Sequence, residues 1–382
     1  MTSSNSPQPL SGIKVLDFTT LLPGPMAALI LAESGAEVLK IERPGVGEEM
    51  RHYQPKWGRD PVSFALLNRG KKSLAIDLKD RQSAKLMESL IGEADVLIEQ
   101  FRPGVMERLG LSYEALSRIN PKLIYCSVTG YGATGPKADV AGHDLNYIGD
   151  TGLLSLNLGP AENPVVPPVL AADLAGGTYP AVVNILLALL LREKTGLGTH
   201  LDIAMTDNMF MLMTWAIGQG LIAGEWPESG KELLTGGTAR YQIYPASDGR
   251  FVAAAPIEQK FWERFCELIE LPEPFRDDKQ DPDATLAEVR RMIAQRPSDE
   301  WRRIFYREDC CCSIVQTLRE ALADSHFLER GLFDYVLENE EGDSIPATVV
   351  CVCPQFRDSP TVNASAPALG AHNDGILKKH GG

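Results

Sequence analysis

The sequence predicts an α/β chain: a mostly parallel sheet covered by helices, joined to a smaller α+β domain. Three observations point there. Short, near-continuous apolar runs alternate with stretches of helical spacing through the first 130 residues, as expected for strands buried on both faces. From about residue 230 to 320 the pattern becomes a hairpin followed by amphipathic helices. The length, 382 residues, exceeds what one simple core serves.

In order, Ile13 to Phe18 reads as a strand, Leu22 to Pro25 as a turn and Met26 to Ser34 as a helix. Strands are expected at Glu37 to Ile41, Ser73 to Leu78, Asp95 to Ile98 and Leu123 to Val128, with helices at Ser83 to Ile91 and Tyr113 to Ile119. No GxGxxG follows the first strand; Leu22-Pro23-Gly24-Pro25 stands there, which disfavours a dinucleotide dehydrogenase. Ala181 to Leu191 is an 11-residue apolar run, too short for a membrane span and read as a buried core helix. A strand at His200 to Met205 and a helix at about Asp207 to Ile217 follow, with Met209, Met211 and Met213 as core filler. Gln219 to Ala239 reads as a linker. Tyr241 to Ala255 reads as a hairpin turning at Ser247-Asp248-Gly249. Helices at Phe261 to Leu271, Ala284 to Gln295 and Ser298 to Tyr306 come next, then strand-like Phe333 to Cys353 and a polar tail.

The net charge of −14 argues against a nucleic-acid or acidic-membrane partner. The charge is uneven. Residues 1–140 carry 17 Lys and Arg against 16 Asp and Glu, so an anionic ligand is better received there. Met1 to Pro9 is polar and not an export signal, and the seven cysteines fit reduced thiols of a cytoplasmic protein. Adjacent side chains do not readily converge on one ion, so Cys310 to Cys312 are read as buried small residues and no metal is expected.

His143 sits in Gly142-His143-Asp144-Leu145-Asn146-Tyr147, beyond a strand and a Gly-rich stretch, Thr129 to Gly132. It suits an acid or base near neutral pH; equally, the segment suits a helix start with Asp144 as an early-turn acid. Asp173 precedes Gly176-Gly177 and the apolar run, and is most simply an N-cap. The glycine pair is costly in a helix and implies close approach of something to the backbone. Glu258 follows an apolar stretch, where desolvation would raise its pKa, or caps the next helix. Arg43, Arg102 and Arg108 follow successive strands, a pattern that suits a multiply charged anion such as a nucleotide phosphate.

Together these motifs resemble the family III CoA-transferases (CaiB/BaiF) and, within them, the α-methylacyl-CoA racemases, from about Pro9 to Asp324. The residues that carry the resemblance are Val15-Leu16-Asp17, Pro23-Gly24-Pro25, Lys40 to Pro44, Asn68 to Ser73, Arg102-Pro103-Gly104, Thr129 to Gly132, Gly135-Pro136 and Gly142-His143-Asp144. The resemblance implies a Rossmann-like large domain, residues 1–218 completed by about 325–382, and a linker with the small domain, 219–324. It also implies an interlocked homodimer and an acyl-CoA substrate, with CoA as part of that substrate and no further cofactor. Arg43 resembles an adenosine-phosphate contact. Lys79, Arg102 and Arg108 fall where other CoA contacts occur, and Gly142 to Tyr147 lie near the thioester. Transferases of the family use the aspartate matched by Asp173 as a nucleophile. Racemases use it as an acid/base and add the residues matched by His143 and Glu258, which favours inversion at carbon 2 of a 2-methylacyl-CoA. The stretch Gly47 to Ser73, with Glu49, Arg51 and Asn68 to Lys72, is more similar to the transferases, and CoA transfer between carboxylic acids is the alternative.

Overall fold

A computed structural model of the chain describes residues 8–357 and 365–380. The chain forms two compact units. One comprises Met1–Thr151, Val169–Leu212 and Ser325–Gly382; the other comprises Gly152–Pro168 and Met213–Asp324.

The first unit is built on six strands: β1 (Lys14–Asp17), β2 (Glu37–Glu42), β3 (Lys72–Ala75), β4 (Val96–Glu99), β5 (Ile124–Thr129) and β6 (Thr199–Ala204). All neighbours pair in parallel, in the order β3-β2-β1-β4-β5-β6. The order reverses between β1 and β4, so a crevice opens at their carboxyl ends, where open sheets of this kind bind ligands. Leu16, Leu39, Leu74, Leu97 and Tyr125 give one face to helices α2 (Arg81–Glu93) and α3 (Tyr113–Ile119). Helices α1 (Pro23–Glu33) and α5 (Tyr179–Thr195) cover the other face, while α4 (Asp144–Asp150) lies beyond β5. The expected parallel α/β alternation is what the chain adopts.

Several elements depart from expectation. Leu22 to Pro25 is not a free turn but the start of α1, with a proline in its first turn, where no intrahelical N–H bond is lost. Helix α5 is not wholly buried. Ala181, Val182, Ile185, Ala188 and Leu189 face inward, but Val183, Leu187, Leu190 and Leu191 are more than half exposed. With the turn before it, Ala172–Thr195 is 24 residues long and apolar enough to cross a membrane by length and composition; 39% of its most apolar 18 residues are buried inside the chain. The polar tail is also ordered in part. Asn373 Oδ1 accepts from Ala75 N and its amide donates back to Ala75 O, both at 2.9 Å. His372 Nδ1 accepts from Ser73 N at 3.1 Å. These bonds close the exposed edge of β3, and the helix Asn373–His380 follows.

An ion network lies under the carboxyl ends of β1–β3. Lys71 Nζ bonds Asp17 Oδ2 at 2.9 Å, Asn68 Oδ1 at 2.9 Å and Pro25 O at 3.0 Å. Lys40 Nζ reaches Thr19 O at 2.8 Å and Glu48 Oε1 at 3.1 Å. Glu48 in turn accepts from Leu21 N at 2.7 Å. Arg51 forks onto Glu42 at 2.7 and 2.9 Å and onto Asp60 at 2.9 Å, above the Phe64 ring. All these charges are buried. Arg51, Asn68 and Lys71, singled out above as similar to the transferases, are therefore interior scaffold.

The second unit holds β7 (Gln242–Pro245), β8 (Phe251–Ala254) and β9 (Cys312–Ile314), antiparallel in the order β9-β8-β7. Helices α6 (Gln259–Leu268), α7 (Pro282–Ile293) and α8 (Ser298–Phe305) bury Trp262, Phe265, Val289, Ile293, Trp301 and Phe305 in its core. The hairpin turns where expected, with Gly249 at φ 79°. Strand β9 was not foreseen. Of the cysteine triplet only Cys310 is buried; Cys311, at φ 49° just before β9, is exposed, and Cys312 is half-buried.

Candidate active site

The candidate residues of the first unit gather at the carboxyl edge of its sheet. His143 is the exposed N-cap residue of α4, and its backbone N–H donates to Asn146 Oδ1 at 3.0 Å. Asp144, the next residue, is buried, and its Oδ1 accepts from Ala172 N at 2.6 Å and Asp173 N at 3.0 Å. One carboxylate thus joins the start of α4 to the segment that carries Asp173, 29 residues further on. Sequence reasoning did not find this role: it placed Asp144 only as an early-turn acid.

Asp173 is not an N-cap. It lies in the first turn of a π-helix, Ala172–Thr178, that runs straight into α5. The wider π turn is a known device at functional sites. Gly176 and Gly177 explain the packing. A Cβ on Gly176 would stand 2.4 Å from Met205 O, and one on Gly177 3.1 Å from Met205 Cγ and 3.2 Å from Pro23 Cβ. What approaches the glycine pair is therefore the chain itself. Thr178 Oγ1 donates to Pro23 O at 2.8 Å, tying the π-helix to α1.

Asp173 is half-buried. Its carboxyl is pushed up to about 6, first by burial and next by the Asp144 charge, while His143 acts in the opposite direction. Two acid/base groups thus feel one another, and one of them is poised near neutral pH.

Tyr147 completes the floor. Its hydroxyl donates to Gly142 O at 2.5 Å, and Tyr131 meets its ring edge-on at 5.2 Å between centroids. A Cβ on Gly130 or Gly142 would fall 2.5 or 2.7 Å from that ring. The Gly-rich stretch therefore seats an aromatic ring. Burial and the Asp173 charge raise the Tyr147 phenol, and Arg102 opposes them.

Arg43, Lys79, Arg102 and Arg108 are exposed after β2, β3 and β4, and none makes an ion pair with another described residue. The first turn of α1 offers an anion little: Pro23 and Pro25 lack N–H groups and Gly24 N is taken by Gln100 Oε1 at 3.0 Å.

In the second unit, Glu258 is exposed, so the expected desolvation is not met. It is the backbone N-cap of α6, with Phe261 N and Trp262 N both donating to its carbonyl at 3.0 Å, but its side chain makes no cap bond. Its carboxylate makes no hydrogen bond or ion pair with another described residue.

Residues 10–373 match the CoA-transferase family III. The chain is 36% identical over 382 residues to an α-methylacyl-CoA racemase of Homo sapiens, covering 97% of this chain and 93% of the relative. It is 32% identical to a succinyl-CoA:glutarate CoA-transferase of Homo sapiens, covering 98% and 86%. A solved CAIB/BAIF family protein from Brucella suis is similar at a TM-score of 0.83 and 29% identity, covering 98% of this chain and all of that one.

The Asp144 contact carries a prediction. Asp144→Asn keeps an acceptor for both amides but removes the charge, so Asp173 should titrate at lower pH in a carbon-13 NMR titration. The wild-type folded chain holds the Asp173 proton up to about pH 6, whereas the unfolded chain releases it near 3.8. Stability from this group therefore falls as pH rises from about 4 to 6, and that fall should shrink in Asp144→Asn.

Proposed function

The chain belongs to CoA-transferase family III, and on that premise we propose that it is an acyl-CoA racemase, inverting carbon 2 of 2-methylacyl-CoA thioesters by 1,1-proton transfer. The observation that carries the proposal is that His143 stands near enough to act on the charge of Asp173, whose carboxyl burial pushes up to about 6. A group that must take a proton in one direction and return it in the other works best with a pKa near the operating pH.

A thioester acidifies the neighbouring carbon. One of Asp173 and His143 takes the proton from one face, and the other delivers a proton to the opposite face; the roles exchange for the other enantiomer. The enolate oxygen needs donors. The amides of Ala172 and Asp173 are already spent on Asp144, which revises the expectation that this helix start supplies them. The first amides of α4, Asp144 and Leu145, carry no hydrogen bond to another described residue and stand beside His143, so we assign the oxyanion to them. On the family resemblance Glu258 is the third group of the reaction, a supporting carboxylate. Arg43, Lys79, Arg102 and Arg108 hold the CoA phosphates, and Gly142 to Tyr147 flank the thioester. Both steps are proton transfers, so the chemistry asks for no cofactor beyond the CoA of the substrate. The seven free cysteines suit a cytoplasmic setting.

A second reading, CoA transfer between carboxylic acids through a nucleophilic Asp173, is favoured by the succinyl-CoA:glutarate CoA-transferase relative, whose identity is close to that of the racemase. His143 separates the two. A positioned acid/base contributes about 10²- to 10⁴-fold, so His143→Ala should cost racemisation by that factor in a chiral assay. Near-normal turnover with a hydroxylamine-sensitive adduct on Asp173 would overturn the racemase and establish the transferase.

The exposed apolar face of α5 supports the homodimer. Leu187, Leu190 and Leu191, exposed by 56, 64 and 54%, form a surface a lone chain leaves to water. Sedimentation at low concentration should show a dimer; a folded, active monomer would contradict the assembly.

A further inference from the structure

Arg240 is a charged residue that neither the motifs nor the comparisons assign. It stands just before β7, and its side chain is 12% exposed. The guanidinium makes five directed contacts within the second unit. Nε and Nη2 fork onto the two oxygens of Asp278, both at 2.7 Å. Nη1 donates to Ile257 O at 3.1 Å, and Nη2 also donates to Gln259 Oε1 at 2.8 Å. The guanidinium plane lies over the Trp262 ring, 5.0 Å from its centroid.

Ile257 and Gln259 are the two neighbours of Glu258. The carboxylate of Glu258 has no cap bond of its own, so its place depends on the backbone that bears it. That backbone is held on one side by the Arg240 fork. On the other, Ala255 N donates to Cys311 O at 3.0 Å, anchoring the segment to the residue before β9. Asp278 keeps the fork from turning, and Gln259 Nε2 passes the restraint on to Glu263 Oε1 at 3.0 Å.

We propose that Arg240 is a positioning residue for Glu258: the Asp278–Arg240 pair fixes the 257–259 turn and so aims the Glu258 carboxylate. The inference rests on the racemase reading, in which Glu258 takes part in the reaction. A lysine does not replace the guanidinium, because a single ammonium cannot serve a bidentate carboxylate, a carbonyl and an amide oxygen at once. The site is also open to solvent: Arg240, Gln259, Trp262, Asp278 and their neighbours line a cleft of about 560 Å³. Small cations can therefore enter when the side chain is removed.

The test uses the full-length enzyme and racemisation of a 2-methylacyl-CoA. Misplacing a supporting group by about 1 Å costs on the order of 10²-fold, so Arg240→Ala should lower kcat by about 10- to 100-fold with KM nearly unchanged. Arg240→Lys should recover little. Added guanidinium chloride at tens of millimolar should restore turnover to Arg240→Ala and not to Glu258→Gln. The double variant should be no slower than Glu258→Gln alone. Gln259→Ala and Asp278→Asn loosen the clamp without emptying the stack on Trp262 and should show smaller losses of the same kind, which keeps the test decisive if Arg240→Ala fails to fold. Losses that add in the double variant, or normal turnover in the Arg240, Gln259 and Asp278 variants beside an impaired Glu258→Gln, overturn the clamp alone. Normal turnover in Glu258→Gln removes Glu258 from the reaction and overturns the clamp with that part of the racemase reading.

Discussion

The site depends on one buried carboxylate. Asp144 spends a single oxygen on the amides of Ala172 and Asp173, and in doing so fixes the distance between the helix that begins at His143 and the turn that carries Asp173. The same charge raises the Asp173 carboxyl. One group therefore fixes the geometry and adds to what burial does to the acidity. The amides of Ala172 and Asp173 are engaged by Asp144, whereas those of Asp144 and Leu145 make no hydrogen bond to another described residue.

The scaffold beneath makes that bridge possible. Lys71 and Lys40, wholly desolvated, hold Pro25 O and Thr19 O, and Glu48 holds Leu21 N. These bonds pin the entry to α1. Pro23 then meets Thr178 and Gly177 of the π-helix, so the ion network under β1–β3 is felt at Asp173 through one segment of chain. Buried charges of this kind are poor sources of net stability, but removing one partner leaves another uncompensated at a cost of about 3–5 kcal/mol. Their value here is in fixing one conformation of the crevice. The proline-flanked start of α1 has a further consequence. Its first turn leaves no free backbone N–H for a phosphate, and the proposed CoA site then relies on cationic side chains at the ends of β2, β3 and β4, where Arg43, Lys79, Arg102 and Arg108 make no ion pair with another described residue.

Much of this was legible in the sequence. Near-continuous apolar runs separated by helical spacing indicated the parallel sheet, and Gly142-His143-Asp144 with Asp173 indicated two candidate residues that the fold brings to the same edge. What escaped was non-local. The side-chain reach of Asp144 spans 29 residues, and no spacing rule reveals it. The π turn is indistinguishable from an α turn in composition, and so Asp173 looked like a cap. Gly176-Gly177 signalled close approach correctly, but only the fold shows that Met205 and Pro23 fill the space. Strand β9 is three residues long and includes a cysteine, too short for an alternation to register. The outer face of α5 is as apolar as its inner face, which made the whole helix read as core. Arg240 fell between the stretches read as linker and hairpin, with its partners 17 to 38 residues further along the chain.

The central claim is that carbon 2 of the acyl group exchanges its proton and inverts without any acceptor acid. Incubating one enantiomer of a 2-methylacyl-CoA with the enzyme in deuterated water tests it most directly, with mass spectrometry and chiral separation as readouts. The account predicts deuterium at carbon 2 and approach to a mixture of both enantiomers with no added carboxylic acid. An unlabelled, uninverted thioester that instead hands its CoA to added succinate or glutarate would contradict it.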